Sequence, residues 1–203
     1  MKTFLNSSSV PRGLRNNNPG NLVLTNIAWQ GKIPKPQNND TNNGVVVKHF
    51  EQFTNLEFGI RAMLKDLIND INKGKNTINK IISEYAPPTE NNTGVYIQSV
   101  SKTLGVTPNQ TLTHIDSKFL LNLSRAIFKV ELGSQHTKIV DSDILGAISK
   151  LGEVSTNLLT VSIDQNFFFK MKNFFIQNKK IVIGVVIALV VGVVAFFALK
   201  HKK

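Results

Sequence analysis

Leu56–Asn72 reads LEFGIRAMLKDLINDIN, and the spacing of its apolar residues decides the architecture. Ile60, Met63, Leu64, Leu67, Ile68 and Ile71 fall on one face of a helix, at intervals of three and four. Asn55 is placed to cap its first turn, and Lys73-Gly74 ends it. Helical spacing continues C-terminally. Ile78, Ile81, Ile82 and Tyr85 predict a second helix, stopped by Pro87-Pro88. A third runs from about Thr93 to Leu104, with Gly105 as its stop. Asp116 caps a fourth, whose Phe119, Leu120, Leu123, Ile127 and Val130 form the expected buried stripe before Gly133 closes it. A weaker fifth helix is expected over 142–151.

Toward the N-terminus the pattern changes. Residues 12–53 are rich in Asn, Gly and Pro and hold two β-like runs, 21–24 and 45–50. The loop between them carries Pro34, Pro36, Asn38, Asn39, Asn42, Asn43 and Gly44. The expected fold class is therefore mainly α, an α+β domain with one small irregular β-hairpin. Residues 1–10 are polar and expected to be disordered.

Residues 181–199, IVIGVVIALVVGVVAFFAL, contain no charged, amide or hydroxyl side chain. As a helix they would span about 28 Å, close to a bilayer's hydrocarbon thickness. One C-terminal transmembrane helix is expected, followed by a basic tail over 200–203. Residues 153–165 are rich in Ser, Thr and Asn, so 136–165 is expected to form a helix and stalk. Over 166–180, Phe167, Phe168, Phe169, Phe174 and Phe175 interleave with Lys170 and Lys172 as an interfacial segment would. Of the net charge of +11, +6 lies in residues 162–203, which hold seven Lys against one Asp. That excess suits anionic lipid headgroups, and with no RNA-binding motif or basic helix, nucleic acid is not an expected partner.

The chain has no cysteine, so no disulfide framework and no thiolate metal site is available. His49, His114 and His136 lack metal-ligand spacing, and no phosphate-binding Gly-rich loop or Ser-His-Asp arrangement is present. No metal or cofactor is expected. Two stretches could carry chemistry: RGLRNNNPGN over 12–21 and YAPPTENNTGVYI over 85–97. Asn amides beside a Pro-Gly turn can donate to and accept from sugar hydroxyl and acetamido groups, or can shape a tight loop.

The order RGLRNNNPGNL, Trp29 and Gly31, FEQFTNLEFGIRA, YAPPTENNTGVYI and RAIFKVELG, covering about residues 11–133, resembles a family of bacteriophage virion proteins described as structural proteins or lytic transglycosylases. Joined to a membrane span, it is similar to a component of a membrane-containing phage. Flagellar and autolysin-type peptidoglycan glucosaminidases offer a second resemblance. They have a helix ending in Glu-Ser-Gly, then an Asn-rich stretch, a Trp-x-Gly, an aromatic strand, a helix and a Tyr-Ala segment with a second Tyr. Asn17, Asn18, Trp29, Gly31, Phe50, Phe53, Tyr85, Ala86 and Tyr96 fall in that order here. The Glu helix comes last instead of first, as RAIFKVELG ending in Glu131-Leu132-Gly133. The resemblance implies a lysozyme-like domain over 11–135, circularly permuted, a rearrangement that costs little where chain termini lie close together.

It also implies a role for Glu131 as the acid that protonates the leaving glycosidic oxygen. Its position after an apolar stripe suits a carboxyl of raised pKa, although a last-turn Glu can equally be a solvated one. Glu90 and Glu57 are the alternatives: Glu90 could instead cap the third helix, and Glu57 sits in the first turn of its own. Asn17, Asn18, Asn21, Tyr85 and Tyr96 are the expected substrate-binding residues. The function implied is a membrane-anchored virion enzyme that cleaves peptidoglycan glycan strands as a lytic transglycosylase or related glycosidase. Its partners would be the glycan, a lipid bilayer (virion internal membrane, or host membrane during assembly) and capsid proteins. The rival reading is a catalytically inactive virion structural protein linking capsid and membrane.

Overall fold

The computed structural model describes residues 1–89, 92–152 and 160–162. The chain divides into Met1–Ile163 and Asp164–Lys203. The second unit lies outside the described residues, and with it the expected interfacial segment, membrane span and basic tail. Among the described residues no helix is long and apolar enough to cross a membrane.

Among the described residues the first unit has six α-helices: α1 (Arg12–Arg15), α2 (Leu56–Asn72), α3 (Ile78–Tyr85), α4 (Thr93–Leu104), α5 (Ser117–Leu132) and α6 (Asp141–Ser149). Strands β1 (Thr41–Asn42) and β2 (Val45–Val46) form an antiparallel hairpin. Strand β3 (His114–Asp116) pairs in parallel with β4 (Thr160–Ser162). The mainly helical class with a small irregular hairpin therefore holds. The run 21–24 joins the hairpin's C-terminal arm by an antiparallel bridge of Val23 to Phe50.

Local chemistry sets the helix limits. Asn55 accepts from Phe58 N, Thr77 from Lys80 N, Asn92 from Val95 N and Asp116 from Phe119 N, each satisfying a first-turn amide that has no intrahelical partner. Gly105 ends α4 in the left-handed conformation, at φ 68°.

The core forms where α5 packs against α1, α2, α4 and α6. Leu120, Leu123, Ile127 and Phe128 of α5 are buried with Ile60, Met63, Leu64 and Leu67 of α2. Each contributes about 1.5–3 kcal/mol by leaving water. The α5 stripe departs from expectation near its end: Phe128 is buried, whereas Val130 is 38% exposed. The helix expected over 142–151 is α6, and it packs into this core: Ile144, Leu145, Ala147 and Ile148 are buried and Arg61 Nε donates to Lys150 O at 2.8 Å. Within the expected stalk, residues 160–162 form β4 and pair with β3, while 153–159 and 163–165 lie outside the described residues.

Residues 1–10, expected to be disordered, are tied down. Leu56 N donates to Lys2 O at 3.0 Å, Phe4 N to Asn17 Oδ1 at 2.8 Å, and Lys2 pairs with Asp143 at 2.9 Å. Val10 is buried. These anchors are mostly backbone groups, which a polar side-chain pattern does not advertise.

Candidate functional site

RNNNPGN folds into a tight loop directly after α1. Asn17 and Asn21 both take φ 50°, the left-handed region that Asn tolerates better than other residues bearing a Cβ. The loop lies against α2 at a glycine: a Cβ on Gly59 would stand 1.7 Å from Asn17 O. Asn17 and Asn18 are fully buried. Asn17 Nδ2 donates to Thr3 Oγ1 at 2.8 Å and Phe53 O at 2.9 Å. Asn18 Nδ2 donates to Leu22 O at 2.9 Å and Glu51 O at 3.0 Å, and its Oδ1 accepts from Leu22 N at 3.0 Å. Their expected role as groove-lining residues is therefore corrected. Their amides satisfy buried backbone groups that would otherwise cost about 1–3 kcal/mol each.

Asn21 behaves differently. Its Nδ2 donates to Glu131 Oε2 at 2.7 Å, joining the N-terminal loop to the end of α5 across 110 residues. Tyr96 of α4, 4% exposed, donates its hydroxyl to Glu131 Oε1 at 2.9 Å. Tyr85, at the end of α3, donates its hydroxyl to Gly20 O. A Cβ on Gly20 would meet that hydroxyl at 2.5 Å and Met63 Sδ at 2.7 Å, so a larger residue here would have to displace the Tyr85 and Met63 side chains. Thus Glu131, Asn21, Tyr96 and Tyr85 converge from four elements.

Glu131 is half-buried. Burial raises its pKa, and the hydrogen bonds from Asn21 and Tyr96, which favour the carboxylate, pull part of that shift back. The two donors differ. An amide N–H can only donate, whereas the Tyr96 hydroxyl can also turn and accept, so it can serve Glu131 in either protonation state. Burial, followed by Tyr85 and Glu131 nearby, keeps the Tyr96 phenol protonated. Burial and then the charges of Glu131 and Asp66 do the same for Tyr85.

Two hollows flank this cluster. One, of about 300 Å³, is lined by Asn92, Val95, Tyr96, Ser99, Val130 and Glu131. The exposed Val130 thus forms part of its wall. The other, of about 320 Å³, contains Asn21, Trp29, Asp66 and Tyr85 among its lining residues.

Of the alternative acids, Glu90 lies outside the described residues. Glu57 turns toward α6, where its carboxyl pairs with Lys150 and lies 2.9 Å from where a Cβ on Gly146 would stand. It lines neither hollow. Sequence reasoning passed over Asp66, which sits on the shoulder of α2 one turn after Met63. The signal available was a pair of acidic residues, Asp66 and Asp70, one turn apart on the helical face that carries Met63. Among the described residues no group of three or more His, Cys, Asp or Glu is placed to hold a metal ion.

No protein-family model matches this chain, and no curated protein matches it.

Proposed function

We propose that the described domain is a glycan-cleaving enzyme of lysozyme-like type acting on peptidoglycan, with Glu131 as its acid. One observation carries this reading: a half-buried carboxyl of raised pKa, held between an amide and a phenol, in the wall of a hollow of about 300 Å³. A general acid must reach the leaving oxygen and hold its proton more tightly than a solvated carboxyl does; a place in the wall of the hollow and a pKa raised by burial support this reading.

In the lytic transglycosylase form of the reaction, Glu131 gives its proton to the glycosidic oxygen as the C1–O bond breaks. The substrate's own C6 hydroxyl then bonds to C1 and returns its proton to Glu131. One protein carboxyl suffices, whereas a direct hydrolase needs a second one placed for water or for C1. The RNNNPGN resemblance and the permuted order of the Glu helix favour the same substrate. The apolar run 181–199 and the flanking lysines favour action beside a bilayer, during virion genome delivery or release.

The test is digestion of purified peptidoglycan by the full-length chain in detergent, with mass spectrometry of the products. Anhydro-sugar ends are expected from the wild type and none from Glu131→Gln. A well-folded wild type that binds glycan without releasing fragments would favour the structural reading, a virion protein joining capsid and membrane.

A further inference from the structure

The larger hollow contains a group that the proposed acid chemistry leaves unused. Asp66, Asp70 and Glu84 all line it, with Lys73. Asp70 is taken by Lys75 at 3.2 Å and Lys73 at 3.6 Å, and Glu84 by Lys75 at 3.0 Å. Asp66 has no hydrogen bond or ion pair among the described residues. It is half-buried, and burial first, then Asp70, raises its pKa. Its oxygens are spoken for by no other side chain and lie in the hollow's wall, so they are open to accept from whatever occupies it.

The hollow's other walls indicate what supplies it. Leu22, Val23, Ile27 and Trp29 give an apolar side. At about 320 Å³ the space lies at the small end of ligand pockets, suited to one sugar ring and not to a folded chain. It is also coupled to the acid. Gly20 accepts from Tyr85 and is followed by Asn21, which holds Glu131. A sugar seated here lies beside the residue that fixes the acid's position.

Resting on the glycan-cleaving reading above, we propose that Asp66 is the binding residue for the N-acetyl group of an amino sugar in this hollow, accepting the acetamido N–H while Trp29, Ile27 and Val23 face the methyl and C–H surface. An amide fits better than an ammonium. Lys73 already lines the space, and the two other carboxylates are already paired, so a second cation would meet one free carboxyl and a like charge.

The test uses the full-length chain in detergent, with Glu131→Gln in every protein so that ligand is not consumed. Tri-N-acetylchitotriose and its fully deacetylated counterpart are titrated calorimetrically into that protein and into versions adding Asp66→Asn or Asp66→Leu. The acetylated trimer should bind about tenfold more weakly to the Leu variant, the loss expected for one hydrogen bond to a charged group, and less weakly to the Asn variant, which keeps an acceptor. Melting temperatures should not fall in either, because Asp66 holds no internal partner. Unchanged affinity for the acetylated trimer in both Asp66 variants would overturn the assignment and leave the cleavage reading standing. Tighter binding of the deacetylated trimer, lost in Asp66→Asn, would replace the acetamido group with a cation. If neither trimer binds, the sugar subsite is wrong, and peptidoglycan digestion by the wild type decides separately whether the enzyme reading survives.

Discussion

Replacing Tyr96 by Phe removes one atom, the hydroxyl that reaches Glu131 Oε1 at 2.9 Å, and leaves a ring of nearly the same shape in a site only 4% exposed. The carboxylate then keeps a single internal donor, Asn21. A hydrogen bond to a charged group is worth about 1.5–3 kcal/mol. Water can reach a half-buried carboxyl and replace part of it, so the lower end, about 1.5 kcal/mol, is the expected loss for the ionised form. That corresponds to about a tenfold gain in proton affinity. The direction follows from the partners: the hydroxyl stabilises the charged form, and without it the already raised pKa of Glu131 rises further. Stability should respond in a definite pH interval. Folded Glu131 binds its proton more tightly than the unfolded chain does, so the folded state carries the extra proton and stability falls as pH climbs from the ordinary Glu value of 4.5 through the folded midpoint. Tyr96→Phe should extend that fall to higher pH, with a smaller loss of stability below pH 4, where the hydroxyl would otherwise accept from the protonated acid. Carbon-detected NMR of the Glu side-chain carboxyls and melting curves at several pH values measure both effects. A Glu131 midpoint that stays put or drops in Tyr96→Phe would refute the reasoning.

Gly59→Ala would place a methyl 1.7 Å from Asn17 O, so the loop or α2 must move. Overpacking of about 3 kcal/mol should lower the melting temperature by roughly 6–12 °C, and an unchanged thermal transition by circular dichroism would show that the loop does not lie where described. Asp40 is buried, which alone would raise its pKa, but donors from Arg12, Asn16 and the Phe50 and His49 backbone outweigh burial and hold it at about 2. Its stabilisation, about 2 kcal/mol, should be full above about pH 5 and vanish as pH falls through 2, so Asp40→Asn should flatten the acid limb of a stability–pH curve.

α2 and α5 were legible because each carries its own period and its own cap within a few residues, Asn55 and Asp116, which act where a first-turn amide needs an acceptor; α3 and α4 were legible from their period and their stops, while their caps, Thr77 and Asn92, were not. Glu131, Tyr85 and Tyr96 could be named only through motif order, since no local pattern says that an end-of-helix Glu meets an Asn 110 residues earlier. Asn17 and Asn18 show the opposite difficulty. Their amides were recognised as hydrogen-bonding groups, but residue type does not reveal whether the partner is a sugar or a buried carbonyl. The pairing of β3 with β4 escaped notice because three-residue strands 46 positions apart leave no periodic trace. Asp66 was hidden by its helix, where an acidic residue beside an apolar stripe reads as solvated surface.

The hydrogen bond from Asn21 to Glu131 has a consequence for biosynthesis. Nascent chains emerge N-terminus first, and at roughly 5–20 residues per second the 110 residues separating these partners take many seconds to follow. Throughout that time the loop bearing Asn21 has no acid to hold, and Lys2 has no Asp143. The ribosome must release most of α5 and α6 before the two ends can meet. A domain whose working parts are its first and its later segments carries high contact order and closes slowly. If Glu131 is the acid, the unfinished chain is harmless to the wall of the cell that makes it, and cutting power appears only on completion.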